Sequence, residues 1–221
     1  MSEVTITVRG EHEVRVLPEL AVAHVTVAVD GPDRGGVVER VAALAFPIRE
    51  DLTSRASTGT VADWSSQRVS VWADRPWNNE GRQLDLVHHA SVDFTVTFTD
   101  FMVLSDWLGE VAGRDGIQVG TVEWQLAPDT RARIEREVAT AAVSVAVERA
   151  TAYASAIGLS EVTAVEIADL GLLTGAQESA PSARMFSKAA MAMDAGGASP
   201  IEFQPDDIVV GAAVEARFRA S

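Results

Sequence analysis

Cysteine is absent from the 221-residue chain, which removes disulfides, thiolate zinc sites and thiol catalysis together and leaves the redox compartment open. Basic side chains are few: 18 Lys and Arg stand against 32 Asp and Glu, a formal charge of -14. Such a surface has little with which to neutralise phosphates, so nucleic acid and anionic membrane are poor partners. No apolar run approaches the ~18 to 20 residues needed to cross a bilayer as a helix, and no membrane insertion is expected. No serine sits in a Gly-x-Ser-x-Gly elbow, and Gly31, Gly35 and Gly36 match neither phosphate-cradling pattern. What is present is ordinary for a globular protein, with 47% hydrophobic and 23% charged residues. A chain of this length buries a core without staples.

The first residues, Met1-Ser2-Glu3, lack the basic start of an export signal, and Val4, Ile6 and Val8 already alternate with Thr5 and Thr7 as in a strand. The cytoplasm is therefore the expected compartment. Gly10 interrupts this alternation before Val14 and Val16, which predicts a bulge. Leu20 to Val29 reads as a return strand covered on both faces. Asp33 caps a predicted helix through Val37, Val41, Leu44, Ala45, Ile48 and Leu52, and Pro47 predicts a kink near Ala43 to Pro47 or two shorter helices.

The strongest pattern is Leu84, Leu86, His88, Ala90, Val92, Phe94, Val96 and Phe98 at successive even positions, with polar residues between. Fifteen residues would extend roughly 50 Å, far beyond a usual strand, so it must bend or project toward another subunit. Trp64 to Ala73 reads as one antiparallel partner, joined through the turn residues Pro76 to Gly81. Asp100 caps a short helix ended by Gly113 or Gly116, and Ile117 to Leu126 is strand-like. Pro128-Asp129 opens the longest helical pattern, closed at Gly158, and Val162 to Asp169 and Ile208 to Phe218 are strands. The fold class expected is α+β, with long bent antiparallel strands packed against two main helices and one shorter helix.

Candidate chemistry is thin. His88 and His89 are adjacent on a strand and face opposite sides, so they do not chelate one metal together. A metal site combining either with Asp85 or Asp93, as in a metal-assisted hydrolase, has no spaced ligand motif behind it. Glu135, Glu137 and Glu148 intermix with Arg131, Arg133, Arg136 and Arg149 as an ion-pair face rather than an acid/base couple. Catalytic residues, metal and cofactor are thus not expected. Trp64 and Trp72, both even, are read as sharing one face, and with Trp77 they form an aromatic hairpin patch suited to an oligomer interface, a small molecule or a peptide. Gly171 to Gln204 is rich in Gly, Ala and Ser. Within it Met185, Phe186, Ala189, Ala190 and Met193 have helical spacing, which reads either as a surface loop or as a segment ordered against a partner.

Several phrases resemble the SIMPL-domain family of bacterial periplasmic immunogenic and oxidative-stress-defence proteins. They are Ile6-Thr7-Val8-Arg9-Gly10-Glu11-His12-Glu13-Val14 with Pro18-Glu19-Leu20-Ala21, and Asp100 through Leu108-Gly109-Glu110-Val111 into Gly116. Further along come Glu137, Ala141, Ala142, Arg149, Ala150, Ala154 and Gly158-Leu159, then Pro200-Ile201 and Pro205 leading into Ile208 to Phe218. The chain departs from the family in its opening residues, in Pro47 and across Gly171 to Ser199. The resemblance implies one domain over residues 1–221, with an insertion at 171–204. It also implies no agreed active site and, in some members, a ring-like or barrel-like homo-oligomer. A non-enzymatic, self-assembling scaffold or stress-associated protein is the expectation.

Overall fold

The computed structural model describes residues 3–173 and 205–221. The element order is β1 (Val4–Val16), β2 (Leu20–Gly31), α1 (Arg34–Ser57), β3 (Asp63–Ser66), β4 (Ser70–Asp74) and β5 (Val87–Phe98). Next come α2 (Phe101–Ala112), β6 (Ile117–Gln125), α3 (Pro128–Ala156), β7 (Val162–Asp169) and β8 (Ile208–Ala220). Among the described residues, three helices and two antiparallel sheets make the fold α+β. The chain divides into two compact units.

The unit holding β2 to β6 is built on a sheet ordered β3-β5-β2-β6, with β4 also on β5. Its dry face is the odd side of β2 (Ala21, Ala23, Val25, Val27) and the even side of β5 (Ala90 to Phe98), which the register places together: Ala23 opposite Val96, Val25 opposite Phe94. Val37, Val41, Ala45, Ile48 and Leu52 of α1 and Leu104, Trp107, Leu108 and Val111 of α2 are buried against it. Both helices start where short acceptors satisfy free amides: Asp33 Oδ2 accepts from Gly36, and Asp100 Oδ1 from Met102 and Val103. The helices are tied together where the fully buried Trp107 donates its indole N–H to Asp51 (3.0 Å), a carboxylate also held by Arg55, which reaches Glu110.

Despite Pro47, α1 runs unbroken over 24 residues. Pro47 and Ala43 both lie on its exposed side, so water can satisfy the carbonyl that the proline leaves without a donor, and the buried stripe runs on past it through Ile48 and Leu52. β5 begins at Val87 rather than Leu84. The Leu84 amide instead bonds the Pro76 carbonyl in a hairpin closed by the Trp77–Gln83 bridge, which turns residues 84–86 out of the ladder.

The other unit stacks the sheet β1-β8-β7 against α3. Ala142, Ala146, Ala150 and Ala154 repeat every four residues, so they form one buried stripe, and they meet Ile6, Val8, Val214, Ala216 and Phe218. Gly10 is no bulge: β1 and β8 pair in unbroken register from Val4–Ala220 to Val16–Ile208, with Gly10 opposite Val214. The glycine is explained by proximity instead. A Cβ at position 10 would lie 2.0 Å from the Ala142 carbonyl oxygen and 2.7 Å from the Ala146 nitrogen. Arg149 locks the same crossing by donating to the Arg9 carbonyl (2.7 Å). Past the helix, Gly158 adopts φ +79° and ends it as expected.

Gly10→Ala tests this account with a clear sign. In an ordinary strand the change restricts the unfolded chain and stabilises. Here a methyl group meets helix backbone that no rotamer change can clear, and the urea midpoint should fall by an amount worth on the order of 3 kcal/mol. An unchanged or raised midpoint would show that α3 does not approach β1 so closely.

Candidate functional site

Parity along the central sheet collects polar side chains on the face opposite the core. β2 contributes His24 and Thr26, β5 contributes His89, Ser91, Asp93 and Thr95, and β6 contributes Gln118 and Glu123. The register sets them in rows. Thr26 donates to Asp93 (2.6 Å), Thr95 Oγ1 lies 3.3 Å from His24 Nδ1, and His24 Nε2 is 3.8 Å from Glu123 Oε1.

A bulge aims that second row: between the Ala23–Val122 and Val25–Val119 pairs, Gly120 and Thr121 of β6 oppose His24 alone. Hydroxyl, imidazole and carboxylate follow one another as nucleophile, base and orienting acid do in triads. The separation of 3.8 Å, however, is too long for a hydrogen bond, and both His24 and Glu123 are substantially exposed. The row therefore offers a wet surface of hydrogen-bond donors and acceptors.

Of the residues named from sequence, His89 and Asp93 lie on this face. His89 points to it and His88 to the core side, as strand alternation requires; His88 Nδ1 is enclosed without a hydrogen-bond partner. Asp93 is engaged by Thr26, while Asp85 is exposed ahead of β5. Among the described residues no group of three His, Cys, Asp or Glu is placed to hold a metal ion.

Trp64 and Trp72 do not share a face. Asp63–Ser66 pairs with β5 from Thr97 to Phe94, but Ser70–Asp74 resumes from Ser91 to Val87, one residue out of step. An odd slip reverses sides. Trp64 falls opposite Val96 and stacks on Phe94 against the core, whereas Trp72 falls opposite His89, stacks on it (5.2 Å, 16°) and stays 47% exposed. Trp77, 68% exposed, belongs to the hairpin beyond β4. Met185, Phe186 and Met193 lie outside the described residues.

In the other unit, the sheet face away from α3 carries charges in pairs: Arg217 with Glu166 (2.8 Å), Arg9 with Glu11 (2.9 Å) and Arg219 with Glu3. The mixed charges of α3 pair within the helix, as Arg133–Glu137 (2.9 Å) and Arg131–Glu135 (3.9 Å). Arg133, Arg136, Glu137, Thr140 and Ala141 line an open depression there.

A family model for SIMPL, described as a protein of unknown function (DUF541), matches residues 6–218. The chain belongs to the SIMPL family. No curated protein matches it significantly. The SIMPL match runs from β1 to β8, two strands that pair along their full length. Since the SIMPL description names no activity, it assigns no role to the His24 row. Sequence reading missed that row because His24, Thr95 and Glu123 are remote in the chain and meet only through the registers of three strands. His24 between Val22 and Thr26 on the polar side of β2 was the one local sign.

Acrylamide quenching reads the two tryptophans separately. Trp72→Phe should remove a readily quenched share of the emission, and Trp64→Phe a poorly quenched share. Equal accessibility of the two would contradict the slip between β3 and β4.

Proposed function

We propose that this SIMPL protein is a non-enzymatic, self-associating component of the cytoplasm, a scaffold or stress-associated protein whose copies bind through apolar surface at the β4–β5 end of its larger sheet. The observation that carries the reading is a group of exposed apolar side chains at this end: Leu84 and Leu86, 46% and 39% exposed, lie outside the ladder ahead of β5, Trp77 belongs to the same hairpin, and Trp72 is exposed on β4. Single exposed apolar residues are commonplace, but a group of them in one hairpin and its strand is what a second surface would cover. The acidic balance of the chain, 32 carboxylates against 18 basic groups, disfavours nucleic acid as that surface.

A binding module is the second reading, favoured by the exposure of the Trp77 indole and of the free side of the Trp72 indole, since aromatic rings at a strand edge also suit a small molecule or a peptide. Multi-angle light scattering over a hundredfold range of concentration separates the two. Self-association predicts a mass that rises above 23.5 kDa and a weaker rise for the Leu84→Ser, Leu86→Ser double variant. A monomer at every concentration would remove the scaffold reading and leave the binding module.

A further inference from the structure

The slip that turns Trp72 outward seats it directly against His89, whose imidazole has carboxylate neighbours on the strands to either side. One face of the ring is covered by the Trp72 indole, nearly parallel to it. His89 Nε2 lies 3.3 Å from Asp74 Oδ1 on β4. On its other flank, β2 places Asp30 directly opposite His89, so the two side chains share a face. The remaining charged groups nearby are Asp93, four residues along the same face of β5 and engaged by Thr26, Arg75 at the end of β4, and Arg40 of α1. Arg40 spends its guanidinium on the Asp30 carbonyl oxygen (2.6 Å).

We propose that Trp72, His89 and Asp74 form a proton-operated clamp that fastens the edge strand β4 to β5. With a neutral imidazole the stack is held by dispersion and the Asp74 contact is a long, weak hydrogen bond. A proton on His89 turns the first into a cation–π contact and the second into a charge-assisted one. Both contacts join β4 to β5, so both tighten together.

What they hold is slight by other measures. β4 has five residues, pairs with β5 and places Val71 against the core. Its release would bare the backbone of β5 from Val87 to Ser91, an unpaired edge of the kind that accepts a foreign strand. The clamp thus makes the state of this edge depend on acidity: fastened by the chain's own strand when His89 is protonated, more often open when it is neutral. This holds whether or not the protein self-associates.

Amide hydrogen exchange on the full-length protein reads the clamp strand by strand. Protection of residues 70–74, corrected for the intrinsic effect of pH on exchange, should be about two- to fivefold greater at pH 5.5 than at pH 8.0, as expected for one exposed cation–π contact. His89→Gln should abolish the difference. His89→Phe, which keeps a stacked ring but takes no proton, should abolish it too, so loss of the stack is distinguished from loss of the proton. The proposal is overturned if wild-type protection is equal at the two pH values, or if either variant keeps the wild-type ratio. It is equally overturned if the amides of Ala21 to Val27 in β2 change by the same factor, because the effect would then be global.

Discussion

A β-strand sends successive side chains to opposite faces, and the larger unit depends on where that alternation is kept and where it is broken. Its reference is β5, whose even residues are dry and odd residues wet from Ala90 to Phe98. β2 matches it residue for residue. β3 and β4 match it in two pieces that differ by one step, so neighbouring stretches of the same edge deliver even residues to opposite faces. From this single slip follow the half-burial of Trp64 against the core, the exposure of Trp72 and the stack on His89.

The same constraint shapes the sheet edges. β6 is bulged at Gly120 and Thr121, and β7 at Val165, where Ala164 faces Phe218 and Glu166 faces Arg217. A bulge spoils the even row of free amides and carbonyls that another strand needs, and the charged Arg9, Glu11, Glu13 and Arg15 on one side of β1 oppose the same event. Edges guarded in this way oppose the addition of a foreign strand unless a guard is lifted. β4, a five-residue strand held by its ladder to β5, the Trp72–His89 stack and Val71, is one such guard.

Much of this was legible from sequence wherever the signal is local. Asp33 and Asp100 were readable as caps because capping acts within three residues, and the dry stripe of β5 because periodicity needs no partner. Two expectations failed for a common reason. Gly10 read as a bulge and Trp64 with Trp72 as one face, since each was judged along its own strand. The answers lay in an approaching helix and in a partner's register. Pro47 does not split α1 into two helices, since a proline costs a helix less when the carbonyl it abandons faces water. The polar row of His24, Thr95 and Glu123 was invisible because no local pattern joins residues 24, 95 and 123.

The absence of cysteine makes the slip directly measurable, because each introduced thiol is the only one. Ser65→Cys, Ser66→Cys, Ser70→Cys and Val71→Cys, each reacted with a bulky maleimide under native conditions, read the facing of both short strands. The structure requires Ser65→Cys and Ser70→Cys to label fast, and Ser66→Cys and Val71→Cys to label slowly until the protein is unfolded. Fast labelling of the odd pair, 65 and 71, with slow labelling of the even pair, 66 and 70, would show one uninterrupted strand. It would contradict the register on which the account stands.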